Sequence, residues 1–257
     1  MFAGLLRELL QSLRAALEAL GAYSLFGARL FMELPRALLR FDLIVKQMHN
    51  AGALSLVIIM LSGLFVGMVL GLQGFDLLER FGSEDSLGTA AALGLLKELG
   101  PVVTALLFAG RAGTALASEL GLMRATDQLA AMEMMAVDPV RRVVMPRFVG
   151  GALSMPLLAA IFSMIGIFGA QLIGVQLMGV DPGQFWSQMR AAVELGDVME
   201  GVVKSCVFGV ACSLIAVYEG YHSLPTAEGV GRATTRTVVI SSVVVLLLDY
   251  MLTAVML

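Results

Sequence analysis

Long apolar segments dominate the pattern of hydrophobic and polar positions along the chain. The first runs from Ala51 to Phe75 without a charged side chain, and about 20 apolar residues are enough for a helix to cross a bilayer. Four further segments are nearly as apolar. The pattern therefore predicts five membrane-spanning helices, at about 51–75, 87–117, 148–178, 198–218 and 238–257.

The second predicted span is interrupted by charged residues and by a proline. Lys97, Glu98 and Arg111 lie within it, and Gly100 precedes Pro101. Proline lacks a backbone donor and often kinks or ends a helix. Two interpretations stay open: one long tilted helix, or a helix broken near Gly100.

Residues 3–20 have an amphipathic pattern, in which leucines at helical spacing lie opposite a polar stripe that contains Arg7 and Arg14. Because charges are spread through this segment, we expect no cleavable signal peptide. The pattern predicts a helix at the membrane interface, in an interfacial region over 1–48 that precedes a five-span domain over 49–257. A helix bound to a soluble partner is the alternative.

A helix-start signal follows the third predicted span. Asp181-Pro182-Gly183-Gln184 offers an N-cap acid, a proline at the first helical position and a glutamine three residues after the cap. Trp186, the only tryptophan, follows at once, and tryptophan favours membrane interfaces. We expect a short helix that lies flat on the outer surface.

The composition of the chain agrees with a membrane protein. Its 257 residues are 58% hydrophobic and 14% charged, with a mean hydropathy of +0.88, whereas soluble domains carry about 25% charged residues. A net charge of -3 provides no basic surface for nucleic acid. Cys206 and Cys212 are six residues apart in one predicted helix, too distant for a disulfide. We therefore expect an all-α integral membrane protein.

The distribution of basic residues predicts the orientation. Twelve of the 17 fall in 1–50, 118–147 and 220–236, and cytoplasmic segments of membrane proteins are enriched in lysine and arginine. We expect a cytoplasmic N-terminus, an external C-terminus and a cytoplasmic segment over 118–147.

Four charged side chains are predicted to share one depth in the membrane. At 1.5 Å per residue, Lys97, Glu98, Lys204 and Asp249 lie roughly 9 to 15 Å from the outer ends of their helices, and their charges sum to zero. Two interpretations stay open. Ion pairs such as Lys204 with Asp249 would fix helix register, or the layer would line an outward cavity in which the lysines meet an anionic group of a substrate.

The cytoplasmic segment carries two helix-start signals. Thr126 is placed to cap a short helix with Asp127 in its first turn, and Asp138-Pro139 begins another. The apolar residues without a partner in so short a segment are Leu129, Met132, Met134 and Met135. Because methionine-rich surfaces accommodate partner proteins, we expect a docking element. A loop folded back on the bundle is the alternative.

Small residues recur every four positions in two of the predicted spans. Gly63, Gly67 and Gly71 lie in the first, and Gly166 and Gly174 flank a similar run in the third. Small residues at this spacing let helix backbones approach closely. The pattern predicts a tightly packed bundle. The small residues could lie at contacts between helices of one chain or at the interface of a homodimer.

Motifs for catalysis are missing from the sequence. A phosphate-binding loop needs glycine before lysine, and none of the three lysines follows a glycine. The two histidines are isolated, without metal-ligand spacing, and no Gly-x-Ser-x-Gly motif occurs. We expect a non-catalytic chain that holds no cofactor or metal of its own.

Two segments resemble a known family. KELGPVVTALLFAGRAGTALASELGLMRATDQLAAMEMMAVDPVRRVVMPR, over 97–147, closely resembles the signature region of MlaE-type permeases, and AEGVGRATTRTVV, over 227–239, is similar to their second hallmark. The chain departs from the family at Ala136, where glycine is preferred, and at Lys97, where arginine is common. With the amphipathic start and five spans, the resemblance covers nearly the whole chain.

The resemblance implies a homodimeric permease of an ABC transporter. Such a permease moves phospholipids between the inner membrane of Gram-negative bacteria and the periplasm, which maintains outer-membrane lipid asymmetry. The implied partners are a cytoplasmic ATPase dimer that binds ATP and Mg²⁺, a small STAS-domain protein on that ATPase, and a periplasmic MCE-domain hexamer. The N-terminal amphipathic helix would be an interfacial elbow.

The resemblance also implies residue roles. Glu98, Lys204 and Asp249, beside Lys97, match polar positions near a lipid cavity between the two subunits. The segment Thr126–Met135 would be a coupling helix seated in a groove of the ATPase. The residues implied in this coupling are Thr126, Asp127, Gln128, Leu129, Met132, Met135, Asp138 and Pro139.

Two other classes of protein remain as alternatives. An ion-coupled secondary transporter would use the charged layer as its coupling site and would need no ATPase, but five spans fit poorly with an inverted repeat. A membrane scaffold that anchors peripheral proteins would have no need of buried charges.

Overall fold

The computed structural model describes residues 14, 18, 21–35 and 41–256. Its regular secondary structure is helical, with no strand in these ranges. Among the described residues, five helical stretches are long and apolar enough to cross a membrane, which agrees with the predicted all-α class and number of spans. They run over Phe41–Glu79, Glu84–Ala125, Val140–Gln176, Leu195–Tyr221 and Ala227–Met256.

The helices are labelled in chain order among the described residues. α1 covers 21–35. The others are α2 Phe41–Ala51, α3 Leu56–Glu79, α4 Leu87–Leu93, α5 Gly100–Phe108, α6 Thr114–Ala125, α7 Gln128–Met134, α8 Met145–Gln176, α9 Pro182–Ala192, α10 Leu195–Tyr221 and α11 Ala227–Met256. Short 3₁₀ turns cover Ala53–Ser55 and Glu84–Ser86, and π-helical turns cover Gly94–Leu99, Ala109–Gly113 and Val140–Val144.

The spans extend beyond the predicted apolar segments because the helices continue into polar residues at both ends. The first span begins with the amphipathic α2, passes through a 3₁₀ turn and continues as α3. The fifth begins at Ala227 rather than near 238. Hydropathy marks only the part of a helix that is apolar enough for the hydrocarbon core.

The second span is one continuous helix, not a helix broken near Gly100. Its first π-helical turn ends there, where the Gly100 N–H donates to the Leu95 carbonyl five residues back. Ser163 of α8 donates a second hydrogen bond to that carbonyl, at 3.1 Å. Pro101 has no N–H to donate to the Lys97 carbonyl four residues back, and that carbonyl accepts from the Lys204 ammonium of α10 instead, at 3.1 Å. The helix therefore continues past the proline.

α8 occupies the centre of the bundle and contacts α2, α3, α5 and α10. The main apolar core lies around it and includes Phe108, Phe162 and Phe208, all fully buried. The predicted glycine stripe of the first span faces α8, with Gly63, Gly67 and Gly71 all buried. Their close partners in α8 are Phe162, Gly166 and Ala170. The stripe is therefore used for contacts within one chain.

The short helix predicted after the third span is present as α9. The Asp181 carboxylate accepts a hydrogen bond from the Gln184 N–H at 2.8 Å, so it caps this helix. Phe185 is fully buried in a small cluster with Leu87, and the Trp186 ring meets it edge-on. These contacts fix α9 against α4.

The predicted amphipathic helix over 3–20 lies outside the described residues, apart from Arg14 and Glu18, which form a 2.9 Å ion pair. The following helix, α1, is described. It buries Phe26 and Leu30 in a second core cluster with Val217 and other residues near the end of α10.

Candidate functional site

Lys204 is the centre of a charged cluster between α10, α11 and the first π-helical turn of the second span. Its side chain is fully buried. The ammonium donates to the Glu98 carboxylate at 2.8 Å, to the Thr253 hydroxyl at 2.8 Å and to the Lys97 carbonyl at 3.1 Å. An ammonium has three donors, so each has an acceptor and Lys204 connects three segments of the chain.

Lys97 pairs with a second set of carboxylates at the start of α10. Its ammonium lies 3.2 Å from the Asp197 carboxylate and 2.9 Å from that of Glu200. Glu200 also lies 3.4 Å from the Lys204 ammonium, so it joins the two lysines. The residues called the Lys204 cluster below are Lys97, Glu98, Asp197, Glu200, Lys204, Asp249 and Thr253.

The structure brings the four predicted charges of this layer together and adds two acids. The predicted neutral set of four charges is wrong, because Asp197 and Glu200 bring the cluster to two lysines and four acids, a formal charge of -2. The predicted ion pair of Lys204 with Asp249 is present but long, at 3.8 Å, and the Asp249 Oδ1 is buried without a hydrogen bond. Glu98 is the principal partner of Lys204.

The π-helical turn explains how two consecutive side chains join the cluster. On a regular α-helix Lys97 and Glu98 would point about 100° apart. A π-helical turn adds a residue to the helical repeat and rotates the side chains that follow. Both residues therefore reach α10, and the side chain of Glu98 remains 41% exposed beside α11.

The exposure of each side chain distinguishes the two interpretations of this layer, ion pairs that fix the helices and a polar lining for a substrate cavity. Lys204 is enclosed by protein and holds helices together, because an ammonium without accessible surface has no room for a further ligand. The most accessible charges are those of Glu98 and Lys97, whereas Asp197 and Asp249 are about one fifth exposed. Any polar group that approaches the cluster from outside meets Glu98 and Lys97 first.

The opposite end of the bundle carries the short helix α7, and the prediction for its start is wrong by one residue. Thr126 ends α6, and its hydroxyl donates to the Leu122 carbonyl at 2.9 Å. Asp127 then adopts a left-handed conformation with φ 55°, and α7 begins at Gln128. Capping patterns did not reveal this turn, because aspartate in a left-handed conformation leaves no distinctive signal.

The predicted second short helix of this segment is also wrong. The Asp138 carboxylate accepts a hydrogen bond from the Val140 N–H at 2.9 Å, as the start signal predicted. The helix that begins after Pro139 does not end, however, but continues through a π-helical turn into α8. Asp138 and Pro139 therefore mark the beginning of the third span.

α7 has one face against the bundle and one face open. Leu129 is only 6% exposed, and Met132 contacts the second core cluster, so the prediction that these two side chains lack a partner is wrong. Met134 and Met135 are 87% and 68% exposed. A cavity of about 390 Å³ separates α7 from the turn after α10, and Arg124, Glu133 and His222 are among its lining residues.

Together these features define a multi-pass α-helical membrane protein with a charged cluster among its spans and a short exposed helix at the other end. The family described as Permease MlaE matches residues 44–255. The MlaE permease of the intermembrane phospholipid transport system of Haemophilus influenzae is 56% identical over 242 residues, which cover 93% of this chain and 92% of that protein. The chain therefore belongs to the MlaE permease family.

More distant relatives occur in other groups of organisms. A probable ABC transporter permease protein of Rickettsia bellii is 37% identical over 236 residues, 92% of this chain and 91% of that protein. The chloroplastic protein TRIGALACTOSYLDIACYLGLYCEROL 1 of Arabidopsis thaliana is 30% identical over 210 residues, 82% of this chain and 60% of that protein. The similarity extends over most of the five-span bundle in each case.

Proposed function

We propose that this chain is the membrane-spanning, non-catalytic subunit of an ABC transporter that moves phospholipids between the inner membrane and a periplasmic MCE-domain hexamer. This movement would maintain outer-membrane lipid asymmetry in a Gram-negative bacterium. A separate ATPase dimer, with a STAS-domain protein bound to it, would bind ATP and Mg²⁺. The observation that carries the proposal is the 56% identity to a phospholipid transport permease over almost the full length of both chains.

The proposed orientation places α7 in the cytoplasm and the Lys204 cluster in the periplasmic half of the membrane. Arg124, Arg141 and Arg147 lie on or beside the segment that carries α7, and cytoplasmic segments favour basic residues. Trp186 on α9 lies at the other end, where it would meet the periplasmic interface. The N-terminus is then cytoplasmic and the C-terminus periplasmic.

The proposed lipid cavity lies between two copies of the chain, next to Glu98. A charge at membrane depth is costly unless it meets a polar partner or a water-filled space, and in one chain the Glu98 side chain is 41% exposed. Beside it α11 exposes Leu246, Leu247 and Tyr250. A second copy would cover this surface and enclose a space with an apolar wall for acyl chains and a polar wall of Lys97 and Glu98.

The proposed coupling element is α7. Its open face carries Met134 and Met135, flexible apolar side chains that suit a groove in a partner protein. Its other face contacts the bundle through Leu129 and Met132. A push on α7 by a closing ATPase dimer would therefore reach the spans directly, narrow the cavity and move lipid towards the MCE hexamer.

Native mass spectrometry tests this proposal. The tagged chain is purified from its native membrane in mild detergent, and bound proteins and lipids are identified together. The proposal predicts two copies of this chain, two ATPase subunits and phospholipid in one complex. A chain that carries neither ATPase nor phospholipid would contradict it and would favour an ion-coupled transporter.

A further inference from the structure

Three helices meet at a single buried carboxylate near the cytoplasmic end of the bundle. Glu219, close to the end of α10, has a side chain that is only 6% exposed. The Tyr23 hydroxyl of α1 donates to its Oε1, and the Arg236 guanidinium of α11 lies 3.4 Å from the same oxygen. Tyr23, Glu219 and Arg236 are called the Glu219 clasp below.

The Tyr23 hydroxyl is held as a hydrogen-bond donor. Burial and the hydrogen bond to Glu219 raise the pKa of Tyr23 above its usual value, so the hydroxyl keeps its proton. The Tyr23 ring also lies on the Tyr218 ring, with centroids 4.0 Å apart. This second contact keeps α1 beside α10 independently of the hydrogen bond.

On its other side, α1 is tied to the segment that follows α7. The Arg29 guanidinium lies 3.5 Å from the Asp138 carboxylate. Arg141 donates two hydrogen bonds to one oxygen of Glu33, at 3.0 and 2.9 Å. α1 therefore connects the beginning of the third span with Glu219, and a displacement of the coupling segment reaches the clasp through a rigid helix.

The third helix of the clasp, α11, lies on the outside of the bundle. Only 11% of its most apolar stretch is buried inside the chain. Its buried residues recur every fourth position and are mostly small: Gly229, Ala233, Thr237, Ser241 and Val245. The small residues let the α11 backbone lie close to α6 and α10, and Leu248 and Leu252 pack against the main core.

Polar contacts anchor α11 at two points along its length. Arg236, in its third turn, binds the Glu219 clasp, and Thr253, near its end, accepts from the Lys204 ammonium at 2.8 Å. Because a helix moves as a rigid element, a displacement of α11 at Arg236 also displaces Thr253 and changes its contact with the Lys204 cluster.

We propose that Glu219 is a positioning residue for transport, which transmits the movement of the coupling segment through α1 to α11 and so to the Lys204 cluster. The proposal rests on the proposed function, since it needs an ATPase that moves α7. Its physical basis is that one buried oxygen fixes the relative position of α1 and α11. Without the clasp, ATP hydrolysis continues but less of it is converted into movement of α11.

The test measures coupling rather than stability. The complete transporter is reconstituted in liposomes, and phospholipid moved per ATP hydrolysed is compared for wild type, Tyr23→Phe and Glu219→Gln. We expect ATP hydrolysis to stay close to wild type while the ratio falls about five-fold or more. The double variant is expected to be no worse than Glu219→Gln alone, since both changes break one connection.

Glu228→Gln provides a matched control. Glu228 pairs with Arg232 at 2.5 Å within α11 itself, and both side chains are exposed. This substitution removes the same charge from the same end of the bundle without breaking a contact between helices, so the ratio should not change.

The outcomes separate a transmitting role from a merely structural one. Tyr23→Phe removes a single hydroxyl and retains the ring contact with Tyr218, so the variant is expected to assemble. If its ratio of lipid to ATP equals that of wild type, the clasp does not transmit movement and the proposal is overturned. If wild type itself moves no lipid on ATP hydrolysis, the proposed function fails, and the assignment of Glu219 with it.

Discussion

Gly67 of α3 and Gly166 of α8 approach so closely that a Cβ on Gly67 would lie 1.9 Å from the Gly166 carbonyl oxygen. No side chain larger than hydrogen fits there unless the two helices separate. The contact holds the first span against the central helix, so it determines how far apart the two backbones lie.

Gly67→Ala is therefore expected to destabilise the bundle by about 1 to 3 kcal/mol, the usual range for overfilled contacts. The thermal unfolding midpoint in detergent measures this effect. Gly231→Ala is the control, because a Cβ at Gly231 in α11 would meet nothing within 4 Å. Equal midpoints for both variants would mean that the first and third spans are farther apart than described.

Ala136, two residues after the end of α7, has φ 58°, a left-handed conformation that glycine adopts without strain. The resemblance to the family indicated glycine at this position, and the backbone explains why. Ala136→Gly is expected to stabilise the protein by about 0.5 to 1 kcal/mol. Its midpoint should rise, whereas that of Ala130→Gly, within α7, should fall. A lower midpoint for Ala136→Gly would exclude the left-handed conformation.

Lys204→Met is expected to destabilise the protein more than any other single change in the Lys204 cluster. It leaves Glu98, Glu200 and Asp249 without the ammonium that they share, and removal of one partner of a buried ion pair costs about 3 to 5 kcal/mol. The yield of folded protein in the membrane and its unfolding midpoint measure the effect.

Lys97→Met is the matched control for that substitution. The Lys97 side chain is 35% exposed, so water partly replaces its contribution and the loss should be smaller. Glu98→Gln combined with Lys204→Met should recover part of the stability, because one unpaired acid is removed. If Lys204→Met is as stable as Lys97→Met, Lys204 is not the enclosed centre of the cluster.

Substitution of both Met134 and Met135 by aspartate is expected to abolish association with the ATPase. These side chains are exposed on α7, so the change should leave the bundle folded while it places charge on the docking face. ATPase retained on the tagged chain after purification is the readout. Ala227→Asp adds charge at an exposed position of the same end of the bundle, outside α7, and should retain the ATPase. Full retention by the double variant would show that docking occurs elsewhere.

The sequence was sufficient to predict the five spans because each contains an uninterrupted or nearly uninterrupted apolar stretch. It was also sufficient for Lys97, Glu98, Lys204 and Asp249, since charges stand out in apolar helices. Asp197 and Glu200 were missed because they lie at the edge of the predicted span 198–218, Asp197 one residue before it and Glu200 in its first turn. Their spacing from Lys204, seven and four residues, is a helical signal that would have placed all three on one face.

Other features could not be predicted from the sequence pattern. The π-helical turn at Gly94–Leu99 has the same hydrophobic pattern as an α-helix, and it depends on Ser163 of another span for a hydrogen bond. The Glu219 clasp joins residues almost two hundred positions apart in the chain, Tyr23 and Glu219. Contacts of this kind depend on how the helices are arranged around α8, and local periodicity carries no information about that arrangement.

ATP-dependent phospholipid transfer by the reconstituted transporter tests the central claim most directly. The complex of this chain with its ATPase is placed in liposomes that contain a labelled phospholipid, and the label that reaches an MCE-domain acceptor is followed over time. The proposed function predicts transfer with ATP and Mg²⁺ that stops when the ATPase is inactivated by mutation. Transfer at the same rate with the inactive ATPase, or none with the active one, would contradict it.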